Sequence, residues 1–315
     1  MAINADKPQL WKKDIAASVD LFNEWFMEFA PGTYRETRVK TTATVREALS
    51  LTDDLRSITP EVITEYPRVL PMLRMCTAPP LARDRLVGLA YANKNLVLTM
   101  EKGKLPPRLA KELLGTHLKS ICAILQRLLD KDIFPWLQGK KPPTEEERYR
   151  ASTIVADRLC GSMADPIVKN AQEHRQLELI QKYLSKRGYT KQPPIRDIKE
   201  MPAGTFSFRM NVPVGAGERK LKIPIDVVVQ PKAVRKSRIP ILIEAKSAGD
   251  FTNTNKRRKE EATKIHQLTA AYGNDAKLIL FLCGYFDSGY LGYEAAEGID
   301  WVWEHRMDDL LQLGL

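Results

Sequence analysis

Residues 221–250 read LKIPIDVVVQPKAVRKSRIPILIEAKSAGD, and this stretch decides both the fold and the chemistry. An acid, Asp226, is set inside one apolar β-type run. A second run, Ile241-Leu242-Ile243, leads directly into Glu244-Ala245-Lys246. Side chains alternate across a strand with a period of two, so Glu244 and Lys246 project from the same face. Burying two carboxylates and an ammonium beside Val and Ile runs costs several kcal/mol unless something compensates. A divalent cation and a phosphodiester would compensate, which points to nuclease chemistry.

An acid-x-Lys triplet alone carries little weight, because the chain holds four: Asp197/Lys199, Glu218/Lys220, Glu244/Lys246 and Asp275/Lys277. Context separates them. Glu218 follows Gly215-Ala216-Gly217 and reads as a hairpin tip, where charges are solvated. Asp275 and Lys277 follow Gly273-Asn274, a turn before a strand, and Asp197 sits in a polar loop after Pro193-Pro194. Glu244 and Lys246 alone end an apolar β run with an acid on the strand before it.

Around this centre the texture changes near residue 190. Residues 8–185 show helical spacing punctuated by Pro79-Pro80, Pro106-Pro107 and Pro142-Pro143. From Gly204 the pattern becomes three antiparallel-prone strands: TFSFRMNVPV, RKLKIPIDVVV and RIPILIEAK. A helix follows over about 255–272. After it come the strand LILFLCGYF, the short strand IDWVWE at 299–304 and a terminal helix, MDDLLQL. The predicted class is α/β (α+β), a mixed central sheet flanked by helices behind a mainly helical N-terminal region. The predicted division is 1–150 for that region and 151–315 for the sheet domain.

The helix before the sheet should supply a further acid. Asp165-Pro166 is a start signal and Gly188 a stop. Leu177, Ile180 and Leu184 form an apolar stripe between them, and Glu173 lies on it, four residues before Leu177. Glu178 is rotated by roughly 140° from Glu173 and should face solvent. An ordinary half-exposed glutamate here would pair with Arg175 or Lys169. After the strands, Asn253, Asn255, Lys256, Arg257, Arg258 and Lys259 form a polar, basic run at a helix start. Cations there oppose the helix dipole unless phosphates neutralise them, and Arg and Asn suit base edges in the major groove. Lys232, Arg235, Lys236 and Arg238 form a second cationic loop.

Composition agrees with a DNA-facing protein. The 315 residues carry a net charge of +10, which suits a polyanionic partner. Cys76, Cys122, Cys160 and Cys283 are scattered without a CxxC and read as buried reduced thiols, and the expected location is the cytoplasm. No run approaches the ~18–20 apolar residues of a membrane span, and MAINADKPQLWKKD has no signal core. The four histidines show neither HxH nor HExxH spacing, and GxxxxGK[ST] and GxSxG are missing. Tyr272 reads as core on the Ile265/Leu268 stripe.

Ile225-Asp226 with Glu244-Ala245-Lys246 resembles the PD-(D/E)xK nuclease superfamily, whose Asp, Glu and Lys build a magnesium site with a preceding helical acid. The proline here lies two residues before the aspartate rather than next to it. More closely, the chain resembles type II restriction endonucleases of the XamI family. NADKPQLWKKDIAASVDLFNEWFMEFAP, DPIVKNAQEHRQLELI and IEAKSAGDFTNTNKRRKEEATKIHQL carry that likeness.

The resemblance implies a homodimer that cuts both strands of double-stranded DNA at a short palindrome, GTCGAC in the name-giving enzyme, with Mg2+. The ion would sit on Asp226, Glu244 and the Ala245 carbonyl, with Lys246 and Glu173 completing the catalytic set. The helical region would serve DNA recognition or dimerisation, and a cognate DNA methyltransferase would belong to the same system. Two rivals stand beside this reading: a structure-specific repair or recombination nuclease of the same fold, and a non-catalytic DNA-binding protein.

Overall fold

The computed structural model describes residues 2–215, 221–233, 239–252 and 254–315, with the backbone alone at 254–257. The chain opens with α1 (Pro8–Leu51), continues through α2 (Pro60–Glu65), α3 (Leu70–Met75), α4 (Arg83–Ala90), α5 (Lys94–Met100) and α6 (Lys111–Leu128), and reaches the long α7 (Glu145–Lys186). Six strands follow: β1 (Thr190–Lys191), β2 (Thr205–Val214), β3 (Leu221–Gln230), β4 (Ile241–Ala248), β5 (Lys277–Gly284) and β6 (Asp300–Trp303). Between the last three lie α8 (Thr254–Tyr272) and α9 (Ser288–Ala296). The protein is a mixed α+β fold with a mainly helical N-terminal region.

Two compact units result: residues 1–29 with 169–315, and residues 30–168. The second is all-helical, and its core includes Leu49, Ile63, Leu73, Leu96, Ile121, Phe134 and Leu159. The expected division at 150/151 is displaced, and it falls inside α1 and inside α7. The reason is at the N-terminus. Asp300 of β6 accepts the backbone N–H of Ile3, of Asn4 at 2.9 Å and of Ala5 at 3.1 Å. The Trp11 ring meets Trp301 edge-on with centroids 5.5 Å apart, and Ser18 Oγ accepts the Gly284 N–H at 2.8 Å. The first part of α1, as far as Phe29, is thereby built into the sheet unit.

The sheet has the order β1-β2-β3-β4-β5-β6. β2, β3 and β4 pair antiparallel, while β1–β2, β4–β5 and β5–β6 are parallel. Parallel neighbours need a crossover, which α8 provides for β4–β5 and α9 for β5–β6. One face packs on Ile265 and Leu268 of α8 and on Tyr290 and Leu291 of α9. The other packs on Leu177, Ile180 and Leu184 of α7 and on Leu310 and Leu313. With helices on both faces, β5 is buried along all but its first residue, which is why it reads as one unbroken apolar run.

Three local expectations need correction. α7 does not start at Asp165-Pro166 but runs through Pro166 from Glu145. An internal proline costs one backbone hydrogen bond, about 3 kcal/mol. Burial of Leu159, Cys160 and Ala164 before it, and of Leu177 and Ile180 after it, offsets that cost. The helix does stop at Gly188, whose φ of +74° suits glycine and where an added Cβ would meet Lys232 Nζ at 2.9 Å. The C-terminal segment, Glu304–Leu313, is 3-10 rather than α-helical. Finally, no helix is expected over 288–296, yet α9 forms there, its apolar residues interrupted by Gly289 and Gly292.

Candidate active site

The β3–β4 ladder ends at Val227–Ile243. At the next residues the Ala245 N–H is donated to Asp226 Oδ2 at 2.9 Å, so a side chain takes the place of a backbone acceptor where the two strands part. Glu244 and Lys246 share a face, and Lys246 Nζ lies 3.3 Å from Glu244 Oε2. On the other side of Asp226 the β2–β3 register has one gap, where Arg209 would face it. Arg209 has φ +51°, a conformation that non-glycine residues seldom adopt and that clusters at functional sites.

Two carboxylates and two ammoniums are brought together here. Burial and the Glu244 carboxylate push Asp226 up to about 6, against the pull of the Ala245 N–H and Lys246. Burial works against the Lys246 charge, but Glu244, Glu261 and Asp226 outweigh it and hold Lys246 above its ordinary value. Glu244 is only 2% exposed and carries a second ammonium, Lys264 Nζ, 2.9 Å from Oε1. Lys264 also donates to the Pro224 carbonyl at 3.3 Å, tying α8 to β3.

Glu173 lies at the rim, half-buried, with Oε1 2.8 Å from Arg209 Nη2. Its charge adds to the upward pressure on Asp226. Its partner is therefore Arg209, while Arg175 pairs with Glu304 at 2.6 Å. Glu178 is exposed. On either side of Glu173 on α7, the polar side chains of Gln172 and Gln176 are buried. The Gln176 amide donates to the Lys246 carbonyl at 3.4 Å and the Phe281 carbonyl at 3.3 Å, pinning β4 and β5 beside the site.

Sequence reasoning passed over Arg209, Gln176, Glu261, Lys264, Tyr290 and Glu294. One of them was within reach of its own logic. Glu261 is four residues before Ile265 and seven before Leu268, the same spacing that singles out Glu173.

The oxygens that could hold a metal ion are the Asp226 and Glu244 carboxylates and the Ala245 carbonyl, a hard-donor set suited to Mg2+ or Ca2+. Among the described residues no three His, Cys, Asp or Glu side chains converge to hold an ion by themselves.

In the basic segment, Asn253 and the side chains of Asn255, Lys256 and Arg257 lie outside the described residues. Arg258 packs its guanidinium over the Tyr293 ring at 5.1 Å, and Lys259 is exposed. In the other cationic loop, Arg235, Lys236 and Arg238 also lie outside the described residues. Lys232 donates to the Arg187 carbonyl at 2.6 Å, at the end of α7. Tyr272 packs beside Ile265 and Leu268 and donates its hydroxyl to the Pro213 carbonyl at 2.6 Å. All four cysteines are buried free thiols, and no helix among the described residues is long and apolar enough to cross a membrane.

Residues 53–303 match the family model described as XamI restriction endonuclease. The chain is 58% identical over 314 residues to the type II restriction enzyme SalI of Streptomyces albus G, covering 99% of both chains. It is 25% identical over 190 residues to the type II restriction enzyme XamI of Xanthomonas campestris pv. amaranthicola, covering 60% of this chain and 62% of that one. Among solved structures, protein VC1899 from Vibrio cholerae matches at 14% identity over 90% of this chain and 55% of its own, with a TM-score of 0.27.

Proposed function

The chain belongs to the XamI restriction endonuclease family and is a type II restriction endonuclease, and on that premise we propose that Asp226, Glu244 and Lys246 carry its Mg2+-dependent hydrolysis of DNA. The observation that supports this reading is the convergence of Asp226 and Glu244 at the point where β3 and β4 part, with Lys246 Nζ 3.3 Å from Glu244. A pair of buried carboxylates with one raised to about 6 is costly in a resting protein and useful when a cation arrives.

Asp226, Glu244 and the Ala245 carbonyl would hold the ion. Mg2+ bound there supplies Lewis acidity and neutralises phosphate charge. Lys246, held above its ordinary value by the three carboxylates around it, would orient or activate the attacking water and stabilise charge on the phosphate. Glu173 helps at the rim through Arg209, whose guanidinium is more than half exposed and within reach of a backbone phosphate.

One chain supplies one such set and hence one scissile phosphate at a time. A twofold-symmetric homodimer is the simplest way to cut both strands of a palindrome. The helical region, and the basic segment from Asn253 through Lys259, are assigned to DNA contacts and dimerisation. The enzyme would act in the bacterial cytoplasm beside a methyltransferase that protects host DNA. The substrate sequence is proposed to be GTCGAC.

Digestion of a plasmid carrying a single GTCGAC with Mg2+, followed by run-off sequencing of the ends, tests this reading. Linear product with ends inside that hexamer is expected. Cutting confined to branched DNA would refute the sequence-specific reading, and discrete ends at another sequence would refute the assignment of GTCGAC.

A further inference from the structure

Lys246 meets a second carboxylate besides Glu244. Glu261 of α8 places Oε1 3.7 Å from Lys246 Nζ and is 1% exposed. Its other oxygen, Oε2, accepts the Tyr290 hydroxyl at 2.7 Å. Behind it stands Glu294 of α9, fully buried, whose carboxyl is raised well above the usual carboxylate range by burial and by the Glu261 charge beside it. Tyr290 is itself fixed, its N–H held at 2.7 Å by the Asp287 cap that starts α9 and its ring 4.9 Å from Phe286.

An apolar residue at 261 would fill this space without the desolvation cost of a buried carboxylate. The cluster therefore calls for a role beyond packing. A lysine ammonium sits on a flexible four-carbon stem and takes its direction from its partners. Glu244, the nearer partner, cannot serve fully both as a metal ligand and as the anchor of Lys246. Glu261 lies outside the metal-facing oxygens and remains available.

We propose that Glu261 is a positioning residue for DNA cleavage: it fixes the direction of the Lys246 ammonium, and Tyr290 and Glu294 hold it in place from α9. The inference rests on the assignment of Lys246 to the reaction made above.

The test measures single-turnover cleavage with Mg2+, DNA affinity with Ca2+ and melting temperature for Glu261→Gln, Glu261→Asp and Tyr290→Phe, with Lys246→Ala as control. Glu261→Gln is expected to slow cleavage by roughly 10- to 100-fold with DNA affinity within about twofold of wild type, as a misdirected group does. Glu261→Asp should restore part of the rate, and Tyr290→Phe should slow it severalfold. If Lys246→Ala is inactive but Glu261→Gln cleaves within about threefold of wild type, or loses rate only in step with DNA affinity, this inference falls alone. If Lys246→Ala retains wild-type cleavage, the reading of the site falls and this inference with it. Should Glu261→Gln not fold, Tyr290→Phe decides, and an unchanged rate there overturns the proposal.

Discussion

Lys264 Nζ lies 2.9 Å from Glu244 Oε1, so a helix that follows the catalytic strand returns a cation to the carboxylate the strand has just buried. With Lys246 at 3.3 Å from the other oxygen, Glu244 is neutralised from both sides. On the reading of the site proposed above, Lys264 is expected to stabilise the metal-free protein and to compete with a divalent ion for the same oxygen. Replacing Lys264 by Met should destabilise the metal-free protein by about 1–3 kcal/mol, the cost of a partly unpaired buried charge. The same change should enlarge the rise in melting temperature that Ca2+ produces. Equal Ca2+ shifts in both proteins would show that the two cations do not compete.

Asp226→Ala, Glu244→Ala and Lys246→Ala should each lower the cleavage rate by several orders of magnitude while specific DNA binding in Ca2+ survives. Removing a group that acts only in the transition state removes several kcal/mol there but leaves groove and backbone contacts untouched. Residual activity within roughly tenfold of wild type, about 1.4 kcal/mol in barrier, would eliminate that residue from the site.

Glu173→Gln should reduce turnover, because it frees Arg209 and removes a charge felt by Asp226. Glu178→Gln, on the exposed side of α7, should change little. Steady-state rates of the two variants at saturating Mg2+ decide the matter, and equal losses would contradict a role for Glu173 at the site.

The raised Asp226 makes a signed prediction for stability. The folded protein holds this proton up to about 6, whereas the unfolded chain releases it near the ordinary value of 3.8. Stability of the metal-free protein therefore falls as pH rises from about 4 to 6, and the cost is fully present above 6. Asp226→Asn removes it. The variant should be more stable than wild type in urea at pH 8 by about 2–3 kcal/mol, as expected for a shift of roughly two pH units, and the difference should vanish below about pH 4. A gap that stays constant with pH would mean that the carboxylate is not penalised.

Much of this was legible in the residues because it is local. β2 covers TFSFRMNVPV from end to end as its alternation and flanking turns suggest, and Glu244 and Lys246 share a face because strand periodicity allows nothing else. Gly188 stops α7 because few other residues take its backbone conformation. Propensity misled where packing outweighed it. Asp165-Pro166 has the chemistry of a helix start, yet α7 continues past the proline, with buried side chains on both sides of it.

What the sequence alone determined, then, is the strand pattern, the phase of each apolar face and the pairing of acid, acid and lysine along β3 and β4. Tertiary structure decided what surrounds that set. Arg209 is brought opposite Asp226 by the β2–β3 register, and Lys264 and Glu261 are brought onto Glu244 and Lys246 by the packing of α8. Tyr290 and Glu294 then close around Glu261 from α9. Periodicity tells which side of its own helix a residue occupies. Which strand residue that side meets depends on how the crossover helices seat on the sheet, and that is fixed by the burial of Ile265, Leu268, Tyr290 and Leu291 together rather than by any one stretch of chain.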